Sequence, residues 1–134
     1  MRSQGKCINS ELLSVMRRNP EKVKDFAKRH KVPNWTTNAD EILQNPEINA
    51  VYIATPPSSH LAYTLKAIEA GKHIYLEKPI TLNLSEALQI KTALENSTSK
   101  LVVAHYRRKL PAFLKVKQLL DEKAIGEVQF AEIK

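Results

Sequence analysis

Cysteine is nearly missing from this chain of 134 residues; Cys7 is the only one. A single thiol makes no internal disulfide and no cysteine-built metal site, which fits a reducing compartment. Glycine is almost as scarce. Gly5, Gly71 and Gly126 are the whole supply, and they lie too far apart to form a G-x-G-x-x-G turn, the loop that brings backbone amides against a phosphate. Aromatic residues make up 6% of the chain and do not interleave with the basic runs, which argues against a stacking platform for single-stranded nucleic acid. No apolar run approaches the roughly 18 residues of a membrane span, and the first residues hold no apolar signal core. The expectation is a cytoplasmic protein with neither membrane nor nucleic acid as partner.

What is present is ordinary in amount and uneven in place. The hydrophobic fraction is 43% and the charged fraction 26%, the range of soluble globular proteins. The length suits one domain with a modest core. Net charge is +7. Residues 1–34 hold nine Lys/Arg against three Asp/Glu, residues 35–104 five against seven, and residues 105–134 seven against four. Such a balance marks either a solvated basic surface or a place for an anion: a phosphorylated ligand or nucleic acid. With no helix-turn-helix signature, a nucleic-acid-binding protein ranks last.

Short apolar runs alternate with helical patterns. Leu12–Met16 is the first run. Asn19-Pro20-Glu21 then reads as a helix start, a capping amide followed by proline and an acid. Val23, Phe26 and Ala27 supply an apolar stripe, and the helix should stop before Pro33. Asn38, with Glu41 three residues on, predicts a short second helix through Ile42 and Leu43, ended by Asn45-Pro46. Val51–Ala54 is the next strand. Ser58 is expected to cap a helix with Leu61, Leu65 and Ile68 on one face, closed by Gly71. Ile74-Tyr75-Leu76 is a strand. Asn83 and Glu86 open a helix bearing Leu84, Ala87, Leu88 and Leu94. Leu101–Ala104 is a strand. Pro111 starts a helix with Phe113, Val116, Leu119 and Leu120, running to about Gly126. Val128, Phe130 and Ile133 suggest a last strand.

Four of the strands are continuously apolar, the pattern of strands buried on both faces of a parallel sheet. Strands separated by single helices imply right-handed βαβ units. The predicted fold class is therefore α/β with a doubly wound parallel sheet. In such sheets ligands sit beyond the carboxyl ends of the strands. The residues that follow each strand are the candidates: Arg17-Arg18, Thr55-Pro56-Pro57, Glu77-Lys78-Pro79 and His105-Tyr106-Arg107-Arg108.

Lys78 follows its strand directly, before Pro79. It projects into the ligand crevice, where partial burial makes it a usable proton donor or acceptor, or it is a surface lysine paired with Glu77. Arg17 and Arg18 stand where such a sheet meets the adenosine ribose; an acid there accepts from the 2′-hydroxyl, and arginine suits a 2′-phosphate. They are otherwise a basic loop. Thr55 to His60 supply hydroxyls, a rigid bend and a helix N-terminus suited to a polar or anionic group. His60 is either part of that site or a local hydrogen bonder. Tyr106 and Arg107 bind substrate oxygens or only support the fold.

ATPPSSH at 54–60, AIEAGKHIYLEKPIT at 67–81, HYRRKLPAF at 105–113 and IGEV at 125–128 resemble, in order and spacing, the Gfo/Idh/MocA (glucose–fructose oxidoreductase / inositol dehydrogenase) family. Residues 19–43 resemble that family's second βα unit and the loop after it. The resemblance covers nearly the whole chain. It implies a Rossmann-like domain and hydride transfer between NAD or NADP and a sugar, cyclitol or related hydroxyl or carbonyl compound. It gives Lys78, the lysine of the E-K-P motif, the task of moving the proton. It places Thr55 and Pro56 on the nicotinamide side with His60 near the cofactor, and makes Glu77 the holder of the strand end. Arg17 stands where many members carry an acid, so NADP is the expected cofactor, with NAD the alternative.

The chain also departs from the family pattern. The opening strand and its glycine-rich turn are not found, and residues 1–11 read as the tail of the helix that should follow them. The domain expectation is 1–126 as a partial dinucleotide-binding domain. Residues 127–134 would begin a strand leading into a second, α+β domain that the chain lacks. A missing first strand leaves two interior strands with unpaired backbone groups. The chain is therefore expected to be a truncated oxidoreductase, poorly stable and weak in NADP binding by itself. The alternative is a non-catalytic, degenerate nucleotide-binding module. Homo-oligomers are expected only of a full-length relative.

Overall fold

The computed structural model describes residues 10–132. Gly5, Cys7, Ile133 and most of the expected helix tail lie outside the described residues; Ser10 and Glu11 are in no helix. The chain divides into two compact units, one ending at Val103 and the other starting at Ala104.

The first unit is built from parallel strands joined by helices. Strand β1 (Ser14–Met16) is followed by helix α1 (Pro20–His30) and strand β2 (Asn34–Thr36), which pairs in parallel with β1. Helix α1 starts as its sequence dictates. The Asn19 side chain accepts from the Lys22 amide at 2.9 Å, Pro20 takes the first helical position, and Val23 and Ala27 face inward. Strand β2 has no counterpart in the sequence reading. Asn34 and Trp35 are exposed and only Thr36 is buried, so no apolar run announces it.

Helix α2 (Ala39–Gln44) is capped by Asn38, whose side chain accepts from the amide of Asp40. Strand β3 (Ala50–Ile53), helix α3 (His60–Glu69), strand β4 (His73–Leu76), helix α4 (Leu84–Glu95) and strand β5 (Leu101–Val103) follow. The second sheet runs β3-β4-β5, all parallel, with Ile53 opposite Leu76 and Leu76 opposite Val103. Among the described residues β1 and β3 each have a ladder on one side only, so the strands form two sheets.

Leu43, Ile53, Ala67, Ile68, Ile74, Leu76 and Ile90 form one core cluster. It joins α2, α3 and α4 to the β3-β4-β5 sheet. The Lys66–Asp40 ion pair, 2.8 Å, and the Lys72 ammonium on the Asn45 carbonyl, 2.7 Å, tie α3 and the chain after it to α2 and its end. Gly71 ends α3 with φ 68°, a left-handed turn that glycine makes without strain. The Gly71 amide bonds Ile68 and the Lys72 amide bonds Ala67.

Two expectations need correction, and α4 shows which of its faces is buried. The strands of the second sheet are buried on one face, not both: Ile53, Ile74 and Leu76 point into the core, while Tyr52, Tyr75 and Val102 on the other face are exposed. An apolar run cannot distinguish one covered face from two. Helix α4 packs through Ile90, 1% exposed, whereas Leu84 and Leu88 are 74% and 51% exposed. They border an apolar groove with Leu65 of α3. Ser58 is not a cap; Pro57–Ser59 form a turn of 3-10 helix, and α3 begins after Ser59 with no side-chain cap.

In the second unit, a 3-10 turn (Tyr106–Lys109) precedes helix α5 (Pro111–Asp121). No α5 residue is buried; Phe113, Leu114, Val116 and Leu120 are all exposed. Helix α5 stops at Asp121 rather than near Gly126, with Lys123 left-handed just beyond it. The last strand predicted around Val128 and Phe130 is not formed within the described residues. A strand exists only with a partner to complete its hydrogen bonds, and Phe130 is 83% exposed.

Candidate functional site

Parallel pairing brings the ends of β3 and β4 to one edge. Because Ile53 lies opposite Leu76, Ala54-Thr55 and Glu77-Lys78 leave the sheet side by side. The Glu77 amide still donates to the Ile53 carbonyl, at 2.9 Å, so the ladder continues one residue past β4 and ends just before Lys78. Period-two alternation puts Tyr75 and Glu77 on one face. Tyr52 lies opposite Tyr75, with ring centroids 5.3 Å apart, and reaches Glu77 diagonally.

That diagonal is a hydrogen bond. The Tyr52 hydroxyl donates to Oε1 of Glu77 at 2.5 Å, and Oε2 accepts the Lys78 backbone N–H at 3.2 Å. The contact moves both groups. The phenol of Tyr52 is pushed up to about 12, first because it donates to an anionic acceptor, then by burial and by the Glu77 charge. The Glu77 carboxyl is pulled below the usual carboxylate range by the Tyr52 hydrogen bond first, then by the Lys78 amide. Glu77 therefore grips β3 through Tyr52 and the start of the next turn through Lys78.

Lys78 itself is exposed. Among the described residues its ammonium enters no hydrogen bond or ion pair; Glu77 accepts its backbone N–H, and the lysine charge adds to the lowering of the Glu77 carboxyl. The partial burial expected around it is not supplied by these residues. Its peptide bond to Pro79 is cis.

His60 is 0% exposed. Its Nδ1 lies 2.9 Å from the Pro79 carbonyl and 3.3 Å from that of Ile80, and its Nε2 lies 2.9 Å from the Thr55 carbonyl. The ring of His60 fills the space between two strand-end loops, both of its nitrogens facing backbone carbonyls. On the β3 side, Ser59 donates its hydroxyl at 2.8 Å toward Thr55 Oγ1 and the Pro56 carbonyl, which folds the Thr55–Ser59 loop on itself. The apolar groove between α3 and α4 contains none of these residues.

Arg17 and Arg18 follow β1 and are exposed; the Arg17 amide bonds the Thr36 carbonyl, extending the β1–β2 ladder. The second unit carries Tyr106 and Arg107 together in its opening turn, where a hydrogen bond with the Tyr106 side chain pushes the Arg107 guanidinium further up. The structure thus joins Thr55, His60, Glu77 and Lys78 at one sheet edge and pairs Tyr106 with Arg107. The sequence did not single out Tyr52 or Ser59. The signal for Tyr52 appears only once the β3–β4 register is known.

Residues 2–105 match the profile described as "Oxidoreductase family, NAD-binding Rossmann fold", that of Gfo/Idh/MocA. Oxidoreductase P35 of Formosa agariphila is 60% identical over 128 residues, covering 96% of this chain and 40% of its own length. D-xylose dehydrogenase of Paenarthrobacter nicotinovorans is 32% identical over 111 residues, 83% of this chain and 29% of the relative. The solved structure of a levoglucosan dehydrogenase in complex with NADH and levoglucosan superposes with a TM-score of 0.80 at 33% identity. That match covers 87% of this chain and 31% of the other. The chain spans well under half the length of these relatives. No helix among the described residues is long and apolar enough to cross a membrane. A parallel α/β sheet with an E-K-P turn at its carboxyl edge, and a profile match over most of its length, give one answer: the chain belongs to the Gfo/Idh/MocA family of NAD-binding oxidoreductases.

Proposed function

We propose that the protein containing this chain is an NADP-dependent oxidoreductase acting on a hydroxyl or carbonyl of a sugar, cyclitol or related small molecule. Lys78 moves the proton. The observation that carries this reading is the setting of Lys78: an exposed ammonium at the carboxyl end of β4, in no hydrogen bond or ion pair among the described residues, with its backbone N–H held by Glu77. A positioned lysine of this kind donates a proton to a forming alcohol or takes one from a reacting hydroxyl. The named relatives support the substrate class, being a D-xylose dehydrogenase and a levoglucosan dehydrogenase.

The residues present fit a dinucleotide. Thr55 and Pro56 border the edge from which Lys78 leaves, and Arg17 and Arg18 offer two exposed cations after β1 and no acid. Arginine there favours a 2′-phosphate over a free ribose hydroxyl, which is the basis for NADP over NAD. The nicotinamide, when bound, supplies the hydride chemistry. Thr55, Pro56 and Lys78 border it, while Glu77 and His60 act from behind by holding the chain. Tyr106 and Arg107 present a phenol and a guanidinium suited to substrate oxygens.

The test is Lys78→Ala in the protein expressed from its complete gene, assayed with NADPH and NADP against a panel of aldoses, anhydrosugars and inositols. Turnover is expected to fall by roughly 10²–10⁴, the usual worth of a positioned proton donor, with cofactor affinity retained. Undiminished turnover would remove the assignment.

A further inference from the structure

The ring of His60 is fully buried, and both of its nitrogens face backbone carbonyl oxygens: Pro79 at 2.9 Å and Ile80 at 3.3 Å on one side, Thr55 at 2.9 Å on the other. A carbonyl oxygen only accepts, so each contact is a hydrogen bond only where the ring nitrogen carries hydrogen. The two sides of the ring also reach two different loops. Thr55 belongs to the chain leaving β3 and Pro79 to the chain leaving β4, five and nineteen residues away from His60 in sequence.

The consequence falls on Lys78. On its amino side the backbone N–H is held by the Glu77 carboxylate. On its carboxyl side the next residue is Pro79, whose carbonyl lies 2.9 Å from Nδ1 of His60. The Lys78 backbone is thus fixed at both flanks while its side chain stays free and exposed. Freedom at the ammonium and fixity at the Cα are what a proton carrier needs, since a shift of about 1 Å in such a group lowers rate by up to about 10²-fold.

We propose that His60 is the positioning residue of Lys78: an N–H donated from Nδ1 to the Pro79 carbonyl sets where the lysine leaves the sheet, and the ring, packed by its other edge against Thr55, spaces that turn from the loop on the β3 side. His60 touches neither substrate nor cofactor. The proposal rests on the reading of Lys78 as the proton carrier.

Two substitutions separate the two contacts. In His60→Asn the amide nitrogen replaces Nδ1 and keeps a donor for Pro79, losing the Thr55 contact. In His60→Gln the amide replaces Nε2 and keeps Thr55, losing Pro79. In the protein expressed from its complete gene, kcat is expected to fall by about 10²-fold in His60→Gln and by distinctly less in His60→Asn. KM for the substrate should change little in His60→Gln, because the substrate's own contacts remain. Binding of NADPH, read by its fluorescence without turnover, should weaken more in His60→Asn, where the Thr55 loop is released. Equal kcat losses in the two variants, or a loss confined to KM, overturn the proposal. Lys78→Ala separates this inference from its foundation. Full turnover in Lys78→Ala sinks the reading of Lys78. Lost turnover in Lys78→Ala together with native kcat in His60→Gln sinks only the role of His60. Should both His60 variants fail to fold, the unmodified protein decides: a buried ring N–H donated to a carbonyl exchanges slowly with solvent. NMR should show such a proton on Nδ1, close to Pro79 or Ile80; one found only on Nε2, beside Thr55, overturns the proposal. A ring with no exchange-protected N–H overturns the proposal.

Discussion

Truncating Ile90 to alanine tests the packing that carries the candidate site. Ile90 is the single buried residue of α4 among those described, at 1% exposure, and it belongs to the cluster that includes Leu76, the last residue of β4 before Glu77 and Lys78. Removing a buried isoleucine to alanine costs about 2–5 kcal/mol, because transfer energy and an unfilled cavity add. A globular domain has about 5–15 kcal/mol in all, so a large share of the stability depends on this one side chain. Leu88 is the control. It sits two residues earlier on the same helix but is 51% exposed. Fully burying a leucine is worth about 1.5–3 kcal/mol, so Leu88→Ala should cost about 1 kcal/mol or less. Urea unfolding followed by circular dichroism reads both as midpoint shifts at constant slope. Amide exchange in the Ile90→Ala variant should speed up first within Leu84–Glu95. The reasoning fails if the two variants lose the same stability, or if Leu88→Ala loses more. Either result would mean that α4 docks by its Leu84–Leu88 edge and not by the face the structure buries.

Other outcomes follow from the strand-end contacts. Replacing Glu77 with glutamine removes the anionic acceptor from Tyr52, so the phenol should ionise nearer its ordinary value of about 10 than the about 12 it holds beside Glu77. Phenolate absorbance with Tyr52→Phe subtracted reads this, and an unmoved transition would show that burial, not Glu77, raises it. The same pair shapes stability at both pH extremes. Glu77 has a depressed carboxyl, so its contribution is present above the ordinary carboxylate range and is lost as pH falls through its lowered value. Tyr52 is raised, so its contribution is full below the ordinary phenol value and fades as pH climbs towards about 12; denaturation midpoints across pH should lose both slopes in Glu77→Gln. Arg17→Asp should turn cofactor preference from NADP towards NAD, read as the ratio of the two dissociation constants, and an unchanged ratio would remove Arg17 from the cofactor contacts.

Much of the fold was legible because its determinants are local. Asn19-Pro20 starts α1 and Asn83 with Glu86 starts α4, where Asn83 accepts from the Glu86 amide at 3.0 Å. Gly71 closes α3 with a positive φ. Each needs only residues a turn apart. Strand β2 was not legible, because Asn34-Trp35-Thr36 owes its extension to pairing with Ser14–Met16, a cause that lies twenty residues away. The buried face of α4 was not legible for a related reason. Leu84 and Leu88 have the spacing of a buried stripe, but spacing does not say which of two apolar edges the sheet will cover.

The candidate site divides along the same line. Lys78 was visible because the chemistry of a parallel sheet concentrates where strands end, and strand ends are marked by an apolar run breaking into charge. What holds Lys78 was not. Tyr52 meets Glu77 only through the register of β3 on β4, and a one-residue slip would send the phenol to the opposite face. The partners of His60 are carbonyl oxygens of Thr55, Pro79 and Ile80, groups that every residue possesses and that no side-chain pattern encodes. A sequence therefore announces a candidate for proton transfer more readily than the groups that hold its backbone. The reacting group must differ in kind from its surroundings, whereas a positioning group need only be in the right place.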